Sequence, residues 1–95
     1  NKMDEFNKRK DRIKDLLKKN FNPTFIKIID NSLMHAGHGG FDKNSKETHL
    51  FIRMISNKFK NKKKKEMHQE VYTVVREEFK NGLHALELDL GSDWL

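Results

Sequence analysis

The stretch EMHQEVYTVVREEFKNGLHALELDL, residues 66–90, changes its hydrophobic period once along its length. Up to Phe79, the apolar residues Met67, Val71, Val74, Val75 and Phe79 recur at the spacing of one helical face. From His84 onward the pattern alternates. His84, Leu86, Leu88 and Leu90 share one parity, and Ala85, Glu87 and Asp89 share the other, which is the period of a strand. Asn81-Gly82 lies at the change, where glycine adopts the left-handed conformation that ends a helix at little cost. A strand reached through a helical crossover runs parallel to a neighbour, with a right-handed connection. The stretch therefore predicts a mixed sheet.

The upstream residues supply that neighbour. MDEFNKRKDRIKDLLKKNF, residues 3–21, sets Met3, Phe6, Ile13, Leu16 and Leu17 at helical spacing, with acids leading and lysines trailing as the helix dipole prefers. Pro23 ends it. TFIKIIDNS (24–32) is rich in β-branched residues, and THLFIRMIS (48–56) alternates Leu50, Ile52 and Met54 with Phe51, Arg53 and Ile55. These read as two consecutive antiparallel strands. A helical turn near residues 57–60 then leads to the long helix, and GSDWL (91–95) closes the chain with a turn whose Trp94 docks on the body. The expectation is an α+β domain spanning residues 1–95, in the order helix, strand, strand, helical turn, helix, strand, with helices on one face of three strands.

Composition limits what such a domain does. No apolar run approaches the roughly 20 residues of a membrane helix, so no membrane association is expected. There is no cysteine among the 95 residues, which excludes disulfides, thiolate nucleophiles and thiolate-only metal sites made by this chain alone. The formal charge of +6 is concentrated in KFKNKKKK, residues 58–65. Lys58, Lys60, Lys62, Lys63, Lys64 and Lys65 could contact a phosphate backbone. With no aromatic residues interleaved for base stacking, the run reads first as a solvated, poorly ordered turn.

LMHAGHGGFDKNSKETH, residues 33–49, holds three of the five histidines and no apolar periodicity. The loop it implies is far longer than a hairpin requires. Packing explains His35 and His38 poorly, whereas a neutral imidazole is a common metal ligand and a general base near neutral pH. His84 opens the last strand on the parity of its leucines, so its ring is expected toward the packed side at the strand end. If the loop leans toward that end, loop and strand-end histidines converge. Pairing a histidine with Asp42, Glu47 or Asp89 would suit hydrolysis, and His35, His38 and His84 would suit zinc with water. No serine elbow, phosphate loop or HExxH accompanies them, which argues against an enzyme.

The phrases NSLMHAGHGG (31–40), ETHLFIRMISNKF (47–59) and the opening stretch, taken in order and at their separations, resemble the BolA-like family over nearly the whole chain. The resemblance implies a class II KH-like fold. It also implies a non-enzymatic partner of a monothiol glutaredoxin, the heterodimer holding a [2Fe-2S] cluster in iron–sulfur maturation, transfer or iron sensing. The glutaredoxin cysteine and a bound glutathione would supply the thiolates. This chain would supply His84 and a loop histidine, His35 or alternatively His38. The isolated chain is expected to be monomeric and cofactor-free, in an intracellular setting, whether mitochondrial, plastid or cytosolic. Histidine in place of thiolate raises a cluster's reduction potential, and ligation needs the neutral ring.

Many members of that family carry F-x-G and R-H-R where this chain has FKNKKKKEMHQ, so Asn61 stands in for a glycine. His68 and His49 read as structural, with an auxiliary ligand role for His49 as the lesser reading. Nucleic-acid binding, as in a transcriptional regulator, is the alternative function. GHGG (37–40) matches the GxxG pattern of KH domains, but it lies between strands rather than between helices.

Overall fold

The computed structural model describes residues 8–32 and 48–93. Its elements run in the expected order: α1 (Arg9–Phe21), β1 (Phe25–Asp30), β2 (His49–Ile55), a 3-10 turn (Asn57–Phe59), α2 (Lys64–Val74), α3 (Arg76–Lys80) and β3 (Ala85–Gly91). The sheet order is β1-β2-β3. β1 pairs antiparallel with β2, Ile28 facing Ile52, and β3 pairs parallel with β2, His49 facing Ala85. The crossover inferred from residues 66–90 is therefore present.

One face of the sheet carries the core. Leu50, Ile52 and Met54 of β2 and Leu86 of β3 pack under Ile13, Leu17 and Phe21 of α1, Phe59 of the 3-10 turn and Val71 of α2. Ile13, Leu17 and Phe21 fall at i, i+4 and i+8, one stripe of α1. The ring centroids of Phe21 and Phe59 stand 5.1 Å apart. On the opposite face lie exposed Ile29, half-buried Phe51 and the Arg53–Asp89 ion pair at 3.6 Å. Ile55 shares that parity yet is buried, opposite Gly91 in the register.

The single long helix expected through Phe79 is two helices. Val75, at φ −100° and ψ 12°, leaves helical geometry after the β-branched run Thr73, Val74 and Val75, and the Glu78 N–H bonds the Val75 carbonyl at 2.9 Å, a tighter three-residue turn. Glu78, on α3, is buried. Its carboxylate accepts two bonds from Arg12, both at 2.8 Å, and one from Arg9 at 3.3 Å, while Arg9 Nη2 also donates to the Asn81 carbonyl at 2.7 Å. These bonds fasten α1 to the second half of the crossover. Arg12 hydrogen bonding is the main reason that the Glu78 carboxyl is held below the ordinary glutamate range, against the opposing effect of burial.

The lysine run is ordered, in contrast to the expectation. Lys58 Nζ donates to the Asn20 carbonyl at 3.0 Å, Lys62 pairs with Glu70 at 2.5 Å, and Lys64 and Lys65 begin α2. The Lys63 N–H donates to Glu66, which stands at the third helical position, at 3.1 Å. Asn61 has φ 66°. This is left-handed backbone, which glycine adopts freely and asparagine tolerates better than most other residues. Trp94 lies outside the described residues.

Two outcomes follow from this packing. Asn61→Ala should lower stability by about 1 kcal/mol, whereas Asn61→Gly should not, as read from urea midpoints. Glu78→Gln should cost about 2–3 kcal/mol near neutral pH, less than a fully buried pair because Arg12 is partly solvated. A depressed carboxyl stabilises when ionised, above the unfolded value near 4.5, and that contribution disappears as pH falls through the lower folded value. The variant's thermal midpoint should therefore fall less steeply than that of wild type below pH 4.5.

Candidate functional site

The chain leaves β1 and returns to β2 at one end of the sheet, and a small buried polar group ties the two points together. Asp30 Oδ1 accepts the Ser32 N–H at 2.9 Å, turning the chain out of the strand. Ser32 is 3% exposed, and its Oγ accepts the N–H groups of Thr48 at 2.9 Å and His49 at 3.3 Å. The Ser32 and Thr48 hydroxyl oxygens lie 3.3 Å apart, and the Asn31 N–H donates to the His49 carbonyl at 2.7 Å. Buried N–H groups need acceptors, and here one serine supplies two.

Thr48 also fixes the start of β3. Its carbonyl accepts the N–H groups of both His84, at 2.8 Å, and Ala85, at 3.0 Å. The backbone of His84 is held between buried Leu83 and half-buried Ala85, yet its side chain is exposed. This corrects the expectation that the ring faces the packed side. The regular strand begins only at Ala85, so the parity of the leucines does not extend back to His84. An exposed imidazole on a fixed backbone is a donor that another molecule can reach.

His49 was read from the sequence as structural. The structure places its ring edge-on to that of His84, with centroids 5.9 Å apart and planes at 84°. Its Nδ1 lies 2.9 Å from Thr48 Oγ1. The signal for this pair was available in the parallel crossover, which brings the starts of β2 and β3 side by side. His68 is half-buried on α2. His35 and His38, with Gly37, Gly39, Gly40, Asp42 and Glu47, lie outside the described residues. Their two connections to the rest of the chain, at Ser32 and Thr48, are at the His84 end of the sheet. Among the described residues no three or more histidines, cysteines or carboxylates gather as a metal site.

The six lysines singled out in the sequence stand together at the 3-10 turn and the beginning of α2. Lys58, Lys60, Lys63, Lys64 and Lys65 are exposed, and Lys62 is half-buried against Glu70. A groove of about 540 Å³ beside them is lined by Asn20, Phe21, Lys62, Glu66, Gln69, Glu70, Thr73 and Val74. Within it Lys62 pairs with Glu70, one of its two carboxylates. No described helix is long and apolar enough to cross a membrane.

Ser32→Ala should leave the Thr48 and His49 N–H groups without their acceptor, at about 1–2 kcal/mol. Hydrogen exchange should then quicken at Thr48, His49 and His84 while amides at the far end of β2 keep their protection.

Comparison with known proteins finds relatives of the chain. A family model described as BolA-like protein matches residues 17–92. The chain is 36% identical over 81 residues to "Protein BOLA1, chloroplastic" of Arabidopsis thaliana, covering 84% of this chain and 51% of that protein. It thus spans about half of that relative's length. The solved structure of BolA1 from Arabidopsis thaliana aligns with a TM-score of 0.79 at 32% identity, covering 90% of this chain and 92% of the solved one. "SufE-like protein 1, chloroplastic/mitochondrial" of the same plant is 35% identical over 80 residues, 81% of this chain but 22% of that protein. The "DNA-binding transcriptional regulator BolA" of Haemophilus influenzae is 33% identical over 78 residues, 82% of this chain and 71% of the relative.

Proposed function

The chain belongs to the BolA-like protein family, and on that footing we propose that it is a non-enzymatic partner of a monothiol glutaredoxin. In this reading the heterodimer shares a [2Fe-2S] cluster used in iron–sulfur maturation, transfer or iron sensing. The observation that carries the reading is the exposed imidazole of His84. It projects from backbone pinned to Thr48, at the sheet end where the segment bearing His35 and His38 is attached.

The donor set suits the group. A chain without cysteine offers imidazoles and leaves the thiolates to glutaredoxin and glutathione, the mixed ligation that histidine-containing [2Fe-2S] centres use. When bound, the cluster supplies electron-accepting and iron-donating chemistry. His84 and one of His35 or His38 would hold this chain's side of it. The backbone of His84 stays fixed by its bond to the Thr48 carbonyl, and the buried Ser32–Thr48 contacts keep the ends of the loop together.

A second reading is nucleic-acid binding, favoured by the lysines at the beginning of α2. Cations there oppose the helix dipole, so helix stability does not account for them. The relative named as a DNA-binding regulator supports keeping this reading. A cluster-free adaptor for glutaredoxin is a third.

Mixing the chain with [2Fe-2S]-loaded monothiol glutaredoxin and glutathione should give a new visible absorption and circular dichroism spectrum. His84→Ala and one of His35→Ala or His38→Ala should abolish it. A glutaredoxin spectrum unchanged throughout would reject cluster sharing. Binding without spectral change would then identify the adaptor, and salt-dependent DNA binding lost on Lys63→Ala/Lys64→Ala would identify the regulator.

A further inference from the structure

We propose that Asn81-Gly82 is a site of covalent modification by water, a succinimide-forming pair that the guanidinium of Arg9 holds in check. The inference is independent of the glutaredoxin reading.

The sequence supplies the chemistry. Asn81 is the one asparagine of the chain that precedes a glycine. With no Cβ on the following residue, the backbone nitrogen of Gly82 is sterically free to reach Cγ of the Asn81 side chain. In that step the Gly82 nitrogen bonds to Cγ, the Cγ–Nδ2 bond breaks, and ammonia leaves carrying the Gly82 N–H proton. No oxidant or reductant takes part. Water then opens either carbonyl of the five-membered imide, giving aspartate or isoaspartate, the second with an extra methylene in the main chain. Asn81 is exposed at the C-terminal end of α3, where water reaches it.

The structure supplies the restraint. Ring closure requires the Gly82 nitrogen to swing to the Cβ side of the Asn81 Cα–C bond. At φ −103° and ψ 17° that nitrogen nearly eclipses the Asn81 nitrogen instead, well over a quarter-turn from Cβ. Turning this peptide unit into the reactive position also turns the Asn81 carbonyl, which accepts a bond from Arg9 Nη2 at 2.7 Å. Arg9 is mostly buried and bonded through Nε to Glu78 at 3.3 Å, so it cannot follow the carbonyl freely. An ideal Cβ on Gly82 would stand 2.9 Å from the same Nη2, which places the guanidinium over the second residue of the pair as well. The flanking backbone is held too. The Asn81 N–H donates to the Glu77 and Glu78 carbonyls at 3.2 and 3.1 Å, and the Leu83 N–H donates to the Glu78 carbonyl at 2.9 Å. What remains to turn is a single peptide unit, and Arg9 holds its oxygen.

Either product would alter the fold at this point. It puts a carboxylate on the residue whose carbonyl Arg9 binds, in competition with Glu78 for that cation. Isoaspartate also lengthens the main chain three residues before His84, whose N–H is bonded to the Thr48 carbonyl.

The test ages the full-length chain in mildly alkaline buffer, follows Asn81 by peptide-mapping mass spectrometry and detects isoaspartate by enzymatic carboxyl methylation. Folded wild type should convert Asn81 more slowly than the urea-unfolded chain by about tenfold or more, since a charge-assisted hydrogen bond must break first. Arg9→Met should move the folded rate several-fold toward the unfolded one while the β2 amides keep wild-type exchange protection. Arg9→Gln takes its place if Arg9→Met loses that protection, and the wild-type comparison decides alone if both do. The proposal is overturned if the unfolded chain does not convert Asn81, or if folded wild type converts it as fast as the unfolded chain. It is equally overturned if an Arg9 variant with intact β2 protection converts no faster than wild type.

Discussion

The parallel pairing of β2 with β3 is the constraint on which the remaining structure depends. Two strands running in the same direction cannot be joined by a tight turn, so the chain must cross from the end of one to the start of the other. Here the crossover comprises the 3-10 turn, α2 and α3. Its apolar side, with that of α1, is accommodated on a single face of the sheet, which is where Leu50, Ile52 and Met54 are buried. The same pairing aligns the starts of the two strands. His49 faces Ala85, and the Thr48 carbonyl receives two N–H groups from the beginning of β3. A histidine late in the chain thereby stands beside one in its middle, at the end where the segment after β1 also returns.

The buried carboxylate of Glu78 has to be understood within that arrangement. A three-stranded sheet offers a small area, and α1 has only one narrow stripe with which to grip it. Charged clamping by Arg9 and Arg12 adds direction to an otherwise non-directional contact, since a guanidinium recognises a carboxylate in a defined geometry. The desolvation this requires is tolerable because the pair is hydrogen bonded on both sides and partly solvated. The polar cluster registers the helices against each other, and the apolar contacts hold them down.

Much of this was legible in the amino-acid order. The change of period after Asn81-Gly82 announced the helix-to-strand transition, and the alternation in β2 set Leu50, Ile52 and Met54, which the structure buries, apart from Phe51 and Arg53. Asn61 could be recognised as replacing a glycine, although the reason, a left-handed φ, is a backbone property that letters do not display. The break at Val75 was hidden because valine fits a helical apolar stripe whether or not the helix continues. Glu78 was invisible for a related reason: a glutamate in a charged helical stretch reads as surface, and its partners Arg9 and Arg12 lie far away in sequence. His84 misled through parity, which holds only inside a strand, and the strand begins one residue later. The neighbouring position of His49 is recorded by no local pattern and could be found only by following the parallel crossover, which sets the starts of β2 and β3 side by side.

The Ser32–Thr48 junction has a further meaning for how such a protein can change over generations. Its bonds run between Asp30, Ser32, Thr48 and His49, all of them at or outside the ends of the intervening segment. The sheet end is thus fastened by residues that flank the segment. Closing a loop costs only about 0.6 kcal/mol more for each doubling of its length once its ends are held. Insertions, deletions and wholesale replacement between Ser32 and Thr48 can be sampled by evolution at little expense to the scaffold. The fold behaves there as a socket, and the segment it carries as an exchangeable cartridge.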